Sequence, residues 1–262
     1  MPGPRLDVRP ALVLVALFSV PVPFPQAAAQ APTAGTLPRK EVLSYSVEWR
    51  LIDAGRAQLT WAESSQPSRP GWEAKLHLES AGLVSKLYRV RDDYTAELNR
   101  DLCVENTQLQ AHEGGRQRET AVHFDPATKK ASYLERDLVK HTARSLETDI
   151  PACVQDVIGA LFLLRTRNLE LGKSIEVPVS DGKKTISAKV EAQQREQIKV
   201  PAGTFKTIRY EAFLFNGVLY RKPGHLYVWV SDDSRKLPVR IQVRLQFTIG
   251  TITFQLEKEE KT

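Results

Sequence analysis

The sequence predicts an all-β fold: a mainly antiparallel sheet of about twelve strands that curves into a barrel or half-barrel, with one helix packed on it. Two observations lead to this prediction. Apolar and polar residues alternate with a period of two along most of the chain after residue 40, which is typical of strands with one buried face. One segment, residues 151–165, has a helical period instead. Curling such a sheet toward a barrel removes exposed strand edges.

The first two predicted strands show the alternation clearly. In residues 42–52 the apolar side chains share one parity: Leu43, Tyr45, Val47, Trp49 and Leu51. After a turn at residues 53–55, the apolar side chains again share one parity: Ala57, Leu59 and Trp61. Because strands joined by a short turn lie side by side, we expect Trp49 and Trp61 on the same surface.

The same alternation predicts most of the remaining strands. They fall at residues 74–79, 90–98, 107–112, 118–124, 131–137, 175–179, 185–190, 237–247 and 252–256. The Asp181-Gly182 pair between two of these segments is a strong hairpin signal. An outer-membrane barrel would also alternate, but the outward positions here include many Arg, Lys and Glu residues instead of a lipid-facing apolar band.

The predicted helix at residues 151–165 would lie against the sheet or plug one end of it. Its apolar residues recur at helical spacing: Val154, Val157, Ile158, Leu161, Phe162 and Leu164. No linker or shift in composition divides the chain beyond residue 40. We therefore predict one β-barrel-like domain over residues 41–257, followed by a charged tail at residues 258–262.

Residues 1–29 have the order of a secretory signal peptide. Two arginines precede an uncharged apolar run at residues 11–20, small residues follow it, and no cysteine suited to a lipoprotein anchor lies near them. The run is shorter than the roughly 20 residues that span a bilayer, although an uncleaved anchor is the alternative. We predict cleavage after Ala29, a flexible leader at residues 30–40, and a soluble periplasmic protein with no later membrane span.

The chain has two cysteines, Cys103 and Cys153. An even number of cysteines in an oxidising compartment favours a disulfide bond, so we predict that this pair is bridged. Such a bridge closes a loop of roughly 50 residues and is worth about 4 kcal/mol by the chain-entropy argument. Two unrelated buried thiols are the alternative.

The composition and motifs exclude several classes of function. With 42% apolar and 26% charged residues the chain is an ordinary globular protein, and its net charge of +6 comes from interspersed residues, so we expect no nucleic-acid binding. None of the five histidines has metal-ligand spacing with another, and no P-loop, GxGxxG or GxSxG motif occurs. We therefore predict no catalytic residue, no metal and no cofactor, and do not expect an enzyme.

Five residues on the predicted apolar faces are candidates for contact with a ligand. Four are aromatic and would line the interior of the curved sheet: Tyr45, Trp49, Trp61 and Tyr94. Asp92 interrupts the apolar parity of its strand and would supply a polar anchor. The alternative is that the aromatic side chains fill a packed core and that Asp92 marks a bulge or an edge.

Four local motifs occur in a specific order along the chain. They are Gln155–Arg165 (QDVIGALFLLR), Val200–Phe205 (VPAGTF), Ile208–Glu211 (IRYE) and Tyr227–Arg240 (YVWVSDDSRKLPVR). In this order and spacing they resemble the exported bacterial domain-of-unknown-function family three-one-zero-eight, over roughly residues 41–256. The resemblance implies an all-β, barrel-like exported domain and brings no established reaction.

These inferences favour a binding or carrier module for an apolar, lipid-like ligand of the envelope. The ligand would be buried between the concave face of the sheet and the predicted helix. The competing hypothesis is an envelope interaction or structural protein with a packed core and no small-molecule ligand. Interior volume separates the two hypotheses, since small-molecule sites have volumes of about 300 Å³ or more.

Overall fold

A computed structural model describes residues 37–65, 70–214, 224–245 and 250–261. All of these residues belong to one compact unit, Thr33–Thr262. The predicted signal peptide at residues 1–29 lies outside the described residues, as does most of the predicted leader at residues 30–40. The last residue of that leader, Lys40, is already the first residue of a strand.

The described residues form fourteen strands in a single antiparallel sheet. They are β1 (Lys40–Trp49), β2 (Ile52–Glu63), β3 (Gly71–Ser80), β4 (Val90–Asn99), β5 (Val104–Glu113), β6 (Arg116–Asp125), β7 (Lys130–Asp137), β8 (Thr142–Asp149), β9 (Ser174–Ser180), β10 (Thr185–Val200), β11 (Gly203–Ala212), β12 (Gly224–Ser231), β13 (Pro238–Leu245) and β14 (Thr251–Lys261). The all-β, antiparallel prediction is confirmed, with fourteen strands in place of about twelve.

The sheet consists of two meanders joined through one pair of strands. Strands β1 to β8 pair in sequence, strands β9 to β14 pair in sequence, and β1 pairs with β14. This order leaves β8 and β9 as the two ends of a sheet that curls without closing. Of the two predicted forms, the half-barrel is the one observed.

The alternation of the sequence does not predict β8. Most of its side chains are exposed, and its residues show no apolar parity. Because β8 is an end strand that pairs only with β7, it contributes little to the core. A strand without a buried face carries no period-two signal.

Connections of the β1–β8 meander alternate between two rims of the sheet. The upper rim holds residues 50–51, 81–89, 114–115 and 138–141, and the lower rim holds residues 64–65, 70, 100–103 and 126–129. The C-terminal strand β14 also ends at the lower rim, where Lys261 pairs with Glu41 of β1. Residues 258–261, predicted as a charged tail, are therefore part of the sheet.

Two helices accompany the strands in the described residues, α1 (Gly82–Leu87) and α2 (Val157–Arg165). The sequence predicts only the second, with a start at residue 151. The structure begins α2 at Val157 because the Asp156 side chain accepts hydrogen bonds from the Ile158 and Gly159 backbone N–H groups and so caps the helix. The short α1 joins β3 to β4 and buries none of its residues.

The segment that precedes α2 is extended and links the two meanders. Gln155 pairs in parallel with Val179 of β9, and its backbone N–H donates to the Pro178 carbonyl oxygen at 2.8 Å. One residue earlier, the Val154 carbonyl oxygen accepts a hydrogen bond from the Val104 backbone N–H of β5 at 2.9 Å. These bonds use the polar backbone groups that a longer helix would have paired internally.

The predicted disulfide joins this segment to the beginning of β5. Cys103 and Cys153 are bonded to each other, with their Cα atoms 5.1 Å apart, which is within the usual range for a disulfide. Together with the backbone hydrogen bond between Val104 and Val154, the bridge fixes the residues that lead into α2.

Replacing both cysteines, Cys103→Ser with Cys153→Ser, should lower the free energy of unfolding by about 4 kcal/mol, because the bridge spans 50 residues of the unfolded chain. Urea unfolding of both proteins without reductant would measure this loss. As a control, wild-type protein unfolded with reductant should lose a similar amount. Two titratable thiols in unfolded, unreduced wild-type protein would contradict the bridge.

Candidate functional site

Helix α2 crosses the concave face of the sheet and is fixed at its N-terminal end by Asp156. The Asp156 carboxylate is buried and accepts hydrogen bonds from the Tyr94 hydroxyl at 2.8 Å, the Ile158 N–H at 3.0 Å and the Gly159 N–H at 2.9 Å. Burial raises the pKa of Asp156, and these three donors act in the opposite direction. Tyr94 of β4 is thereby tied to the start of the helix.

At its C-terminal end the helix is fixed by a salt bridge between Arg165 and Glu41 of β1. The two side chains are 0% and 1% exposed, and they are joined twice, at 2.5 Å and 3.0 Å. The guanidinium also donates to the carbonyl oxygens of Lys236 at 2.9 Å and Arg235 at 3.2 Å. The carboxylate and the guanidinium neutralise each other through two hydrogen bonds, and the two carbonyl oxygens accept further hydrogen bonds from the guanidinium. Neither charge is therefore buried without a partner.

An apolar cavity of about 240 Å³ lies between α2 and the strands β9 to β14, β1, β2 and β3. Its walls contain only apolar side chains and two tyrosines: Tyr45, Ala57, Leu59, Leu76, Val157, Ile158, Ala160, Leu161, Leu164, Ile175, Val177, Val179, Ala188, Val190, Tyr210, Ala212, Leu214, Leu226, Val228, Ile241, Val243 and Phe254. The Tyr45 hydroxyl donates to the Pro238 carbonyl oxygen at 2.9 Å, and burial raises the pKa of Tyr45. We call this space the apolar cavity.

A second cavity, of about 350 Å³, lies on the other side of the start of α2. Its lining combines apolar and charged side chains: Leu76, Leu78, Asp92, Tyr94, Thr107, Leu109, Arg118, Thr120, Val122, Tyr133, Glu135, Asp156, Val157, Ile158, Ser180, Asp181 and Lys183. We call it the mixed cavity. It shares Leu76, Val157 and Ile158 with the apolar cavity, so the two spaces are neighbours on either side of these side chains.

Asp92 and Arg118 give the mixed cavity a charged end near the upper rim. Burial and then the neighbouring Glu113 carboxylate raise the pKa of Asp92 to about 6, against a hydrogen bond from the His112 N–H at 3.0 Å and the charge of Arg118. Arg118 itself lies 2.6 Å from Glu113 and 3.9 Å from Glu135. Charges of both signs therefore face the same space.

The structure brings three of the five candidate residues to these cavities. Tyr45 lines the apolar cavity, while Asp92 and Tyr94 line the mixed cavity. Trp61 is fully buried and stacks on Phe162 of α2, with ring centroids 4.0 Å apart, and it lines neither cavity. Trp49 is half-buried at the upper end of β1 and also lines neither.

The two tryptophans share a pair of strands but lie at its opposite ends. Trp49 pairs with Ile52, beside the upper rim, whereas Trp61 pairs with Glu41, beside the lower rim. Asp92 stays in the regular ladder, opposite Ala111 of β5, so it marks no bulge at its own position.

The sequence analysis does not identify Arg118 and Asp156 as residues of this site, although the sequence contains an indication for each. Arg118 shares its parity with Val122 and Phe124 in β6, so it is a charged residue on a buried face, as Asp92 is. Asp156 directly precedes the apolar helical segment, which is typical of a helix N-cap. Neither signal identifies a cavity without knowledge of which strands meet across it.

Among the residues that the structure describes, no helix is long and apolar enough to cross a membrane. Within the same part of the chain, no three His, Cys, Asp or Glu side chains lie together in a way that could hold a metal ion.

Comparison with known families places the chain in one of them. The profile of the family described as "Protein of unknown function (DUF3108)" matches residues 44–257, which confirms the resemblance drawn from the four sequence motifs. No protein among the curated sequences matches the chain.

Among solved structures, the chain is similar to a beta-barrel-like protein of the domain of unknown function DUF1849 from Brucella abortus. The TM-score is 0.54 at 7% identity, over 86% of this chain and 98% of that one, which is a likeness of fold. Two others have lower scores. A protein reported as exported, with a YmcC-like fold, from Bacteroides fragilis has a TM-score of 0.34 at 11% identity, over 88% of this chain and 100% of that one. A protein reported as a lipoprotein, from Parabacteroides distasonis, has a TM-score of 0.35 at 13% identity, over 87% and 99%.

Replacing Glu41 by Gln should lower the free energy of unfolding by about 3–5 kcal/mol, because it leaves the Arg165 charge buried without a counter-ion. Glu147→Gln is the matched control, since Glu147 forms an exposed pair with Lys130 at 3.6 Å. It should cost less than about 1 kcal/mol. Urea unfolding measures both changes, and equal losses would contradict the importance assigned to the buried pair.

Asp92→Asn should stabilise the protein more at pH 7.5 than at pH 4. The raised pKa, about 6 in the folded state, means that the fold disfavours the ionised carboxylate. This cost is absent while Asp92 is protonated in both states, develops as the pH rises from about 4 to about 6, and is fully present above that range. Thermal unfolding at the two pH values gives the comparison with wild type.

The exposed Asp101, changed to Asn, serves as the control for this series. Its effect should be small at both pH values, because an exposed carboxylate is solvated in either state. A gain from Asp92→Asn that is the same at pH 4 and pH 7.5, or larger at pH 4, would contradict the burial argument.

Proposed function

Because the chain belongs to the family of proteins of unknown function DUF3108, we propose its role from the geometry of the site: it binds or carries a lipid-like ligand of the envelope. The apolar part of the ligand occupies the apolar cavity, and its polar head occupies the mixed cavity. The role is binding, and it involves no catalytic residue and no cofactor.

The observation that carries this proposal is that the apolar cavity lies next to the mixed cavity, which has charged side chains in its wall. The apolar cavity has no charged side chain in its wall, and the mixed cavity next to it contains Asp92, Arg118 and Lys183. A ligand with an apolar chain and a polar end could place its chain in the apolar cavity and its polar end in the mixed cavity. The mixed cavity, at about 350 Å³, falls within the range of about 300–1,000 Å³ that is usual for small-molecule sites, and the apolar cavity, at about 240 Å³, lies just below that range.

Charges of both signs in the mixed cavity favour a head group that offers donors as well as acceptors. Arg118 supplies donors beside the acceptors Asp92 and Glu135, and Lys183 lies 4.0 Å from Asp181. A zwitterionic or polyhydroxylated head can form further hydrogen bonds with both kinds of group, whereas a purely apolar ligand would cover them and offer none.

The place of action that fits this role is the periplasm. The signal-peptide order of residues 1–29 and the bonded cysteines both support an exported protein. An exported carrier meets its ligand at the membranes that enclose this compartment, where lipid-like molecules are abundant.

Filling the apolar cavity tests the proposal. Ala160 faces this cavity from α2, so Ala160→Phe should reduce the affinity for a fluorescent fatty-acid probe by at least about tenfold, because the added ring occupies the volume of the chain. Ala143→Phe, on the exposed end strand β8, is the matched control and should bind as wild type does. Thermal unfolding would verify that both variants are folded.

Lipid extraction and mass spectrometry of the protein purified from the periplasm would identify a natural ligand. No co-purifying lipid, together with no saturable binding of the fatty-acid probe or of phospholipid by wild-type protein, would contradict the proposal. That result would favour the interaction protein with a packed core.

A further inference from the structure

Exposed apolar side chains are concentrated at one rim of the sheet. Among the described residues, nine large apolar side chains are exposed, and all but Leu171 and Phe213 belong to the β1–β8 meander. These seven lie on or directly beside upper-rim connections: Leu51, Ile52, Leu83, Leu87, Tyr88, Leu138 and Val139. The described residues of the lower-rim connections contribute none.

The connections that carry these side chains are neighbours along one edge. The Ala81 N–H donates to the Ala54 carbonyl oxygen at 2.8 Å, which holds α1 beside the first turn. The Gly114 N–H donates to the Arg89 carbonyl oxygen at 2.7 Å, which adds the third connection. At the fourth, the Leu138 N–H donates to the carbonyl oxygen of residue 117 at 2.8 Å. The apolar side chains therefore belong to one continuous rim.

Helix α1 shows most clearly that, among the residues that the structure describes, none covers the apolar side chains of this rim. Leu83 and Leu87 lie four residues apart, on one face of the helix, and are 60% and 74% exposed. A helix of a globular domain normally turns such a face toward the core. Leu51, on the adjacent turn, is 91% exposed, so these side chains protrude and do not line a groove.

The same connections are positively charged. Residues 50–51, 81–89, 114–115 and 138–141 contain Arg50, Lys86, Arg89 and Lys140 and no acidic residue, while the strands directly beside them contribute the acidic residues Asp53, Glu113 and Asp137. Lys86 and Arg89 are exposed beside Leu87. Lys140 lies 3.7 Å from Asp137, and Arg50 lies over the Trp49 ring, whereas Lys86 and Arg89 form no salt bridge with any of the described residues.

We propose that the upper rim binds the surface of an anionic lipid membrane, with Leu83 and Leu87 in the interfacial region and with Lys86 and Arg89 against the lipid head groups. Protruding apolar side chains next to cations are typical of interfacial membrane binding. A protein partner would require a groove or a flat face for complementary packing, whereas a membrane accepts separate protruding side chains.

Membrane binding at the upper rim would bring lipids close to the mixed cavity. This route of ligand entry rests on the proposed function. Asp92 pairs with Ala111, which in turn pairs with Arg118, so the charged end of the mixed cavity lies within a few residues of the connections at 81–89 and 114–115. A lipid that leaves the membrane at this rim would reach the mixed cavity first. Binding to the membrane itself does not depend on the cavities.

Vesicle co-sedimentation of the chain from residue 30, with its disulfide intact, tests the proposal. Wild-type protein should pellet with phosphatidylcholine vesicles that contain about one-quarter phosphatidylglycerol, and less with phosphatidylcholine alone or at high salt. Leu83→Ser with Leu87→Ser, and separately Lys86→Glu with Arg89→Glu, should each lower partitioning by at least about tenfold.

Leu171→Ser is the matched control, because Leu171 is 42% exposed but belongs to no upper-rim connection. It should leave partitioning unchanged. The proposal is overturned if wild-type protein does not pellet with the anionic vesicles at low salt, if the rim variants pellet as wild type does, or if Leu171→Ser lowers pelleting as much as they do. Each variant should unfold at the wild-type temperature, since the replaced side chains are exposed.

Binding of the fatty-acid probe tests the proposed ligand site independently of membrane binding at the rim. The Leu83→Ser, Leu87→Ser protein should bind the probe as wild type does, while Ala160→Phe should still pellet with anionic vesicles. Loss of one property without the other therefore assigns the failure to the rim or to the cavity.

Discussion

Arg165 and Glu41 meet where water does not reach them, one at the end of α2 and the other at the start of the first strand. Removing two charges from water costs several kcal/mol for each ion, so the contact is stable only because it is bidentate and because two backbone carbonyls accept two further hydrogen bonds from the guanidinium. At the other end of the helix, Asp156 is buried under the same constraint and is satisfied by three donors. With both ends fixed, α2 cannot slide along the concave face, and the side chains between them form a stationary wall for both cavities.

The interior is filled unevenly because α2 is short. Nine residues of helix extend about 14 Å, whereas a ten-residue strand extends about 33 Å. Near the lower rim, Phe162 of α2 packs on Trp61 and the space is closed. The apolar cavity remains between α2 and the strands that it faces, and the mixed cavity lies beside the start of the helix. The extended residues before α2, held by the disulfide and by the pairing of Gln155 with β9, determine where the helix begins.

The environment of the interior changes from the second meander toward the upper rim of the first. Strands β9 to β14 supply most of the wall of the apolar cavity, and the mixed cavity, bounded mainly by strands β3 to β7, introduces charges of both signs near that rim. Beyond it, the upper-rim connections combine exposed apolar side chains with cations. A molecule with an apolar chain and a polar head encounters matching surroundings along this direction. This common direction relates the proposed ligand site to the proposed membrane-binding rim, although the two stand on different residues.

The amino-acid sequence was sufficient to predict the all-β class, the faces of most strands and the helix α2, because parity and helical spacing are local properties of the chain. It also indicated the cysteine pair and the buried-face position of Asp92. The three-dimensional structure was needed to show which side chains of one parity line a cavity: Tyr45 does and Trp61 does not, although both point to the concave face. It likewise revealed β8, which has no apolar parity, and the partner of Arg165, which is 124 residues away in sequence. The physical reason is that alternation specifies the face of a side chain but not its height along the strand or the element that covers it, and both of these follow from register and from the anchoring of α2.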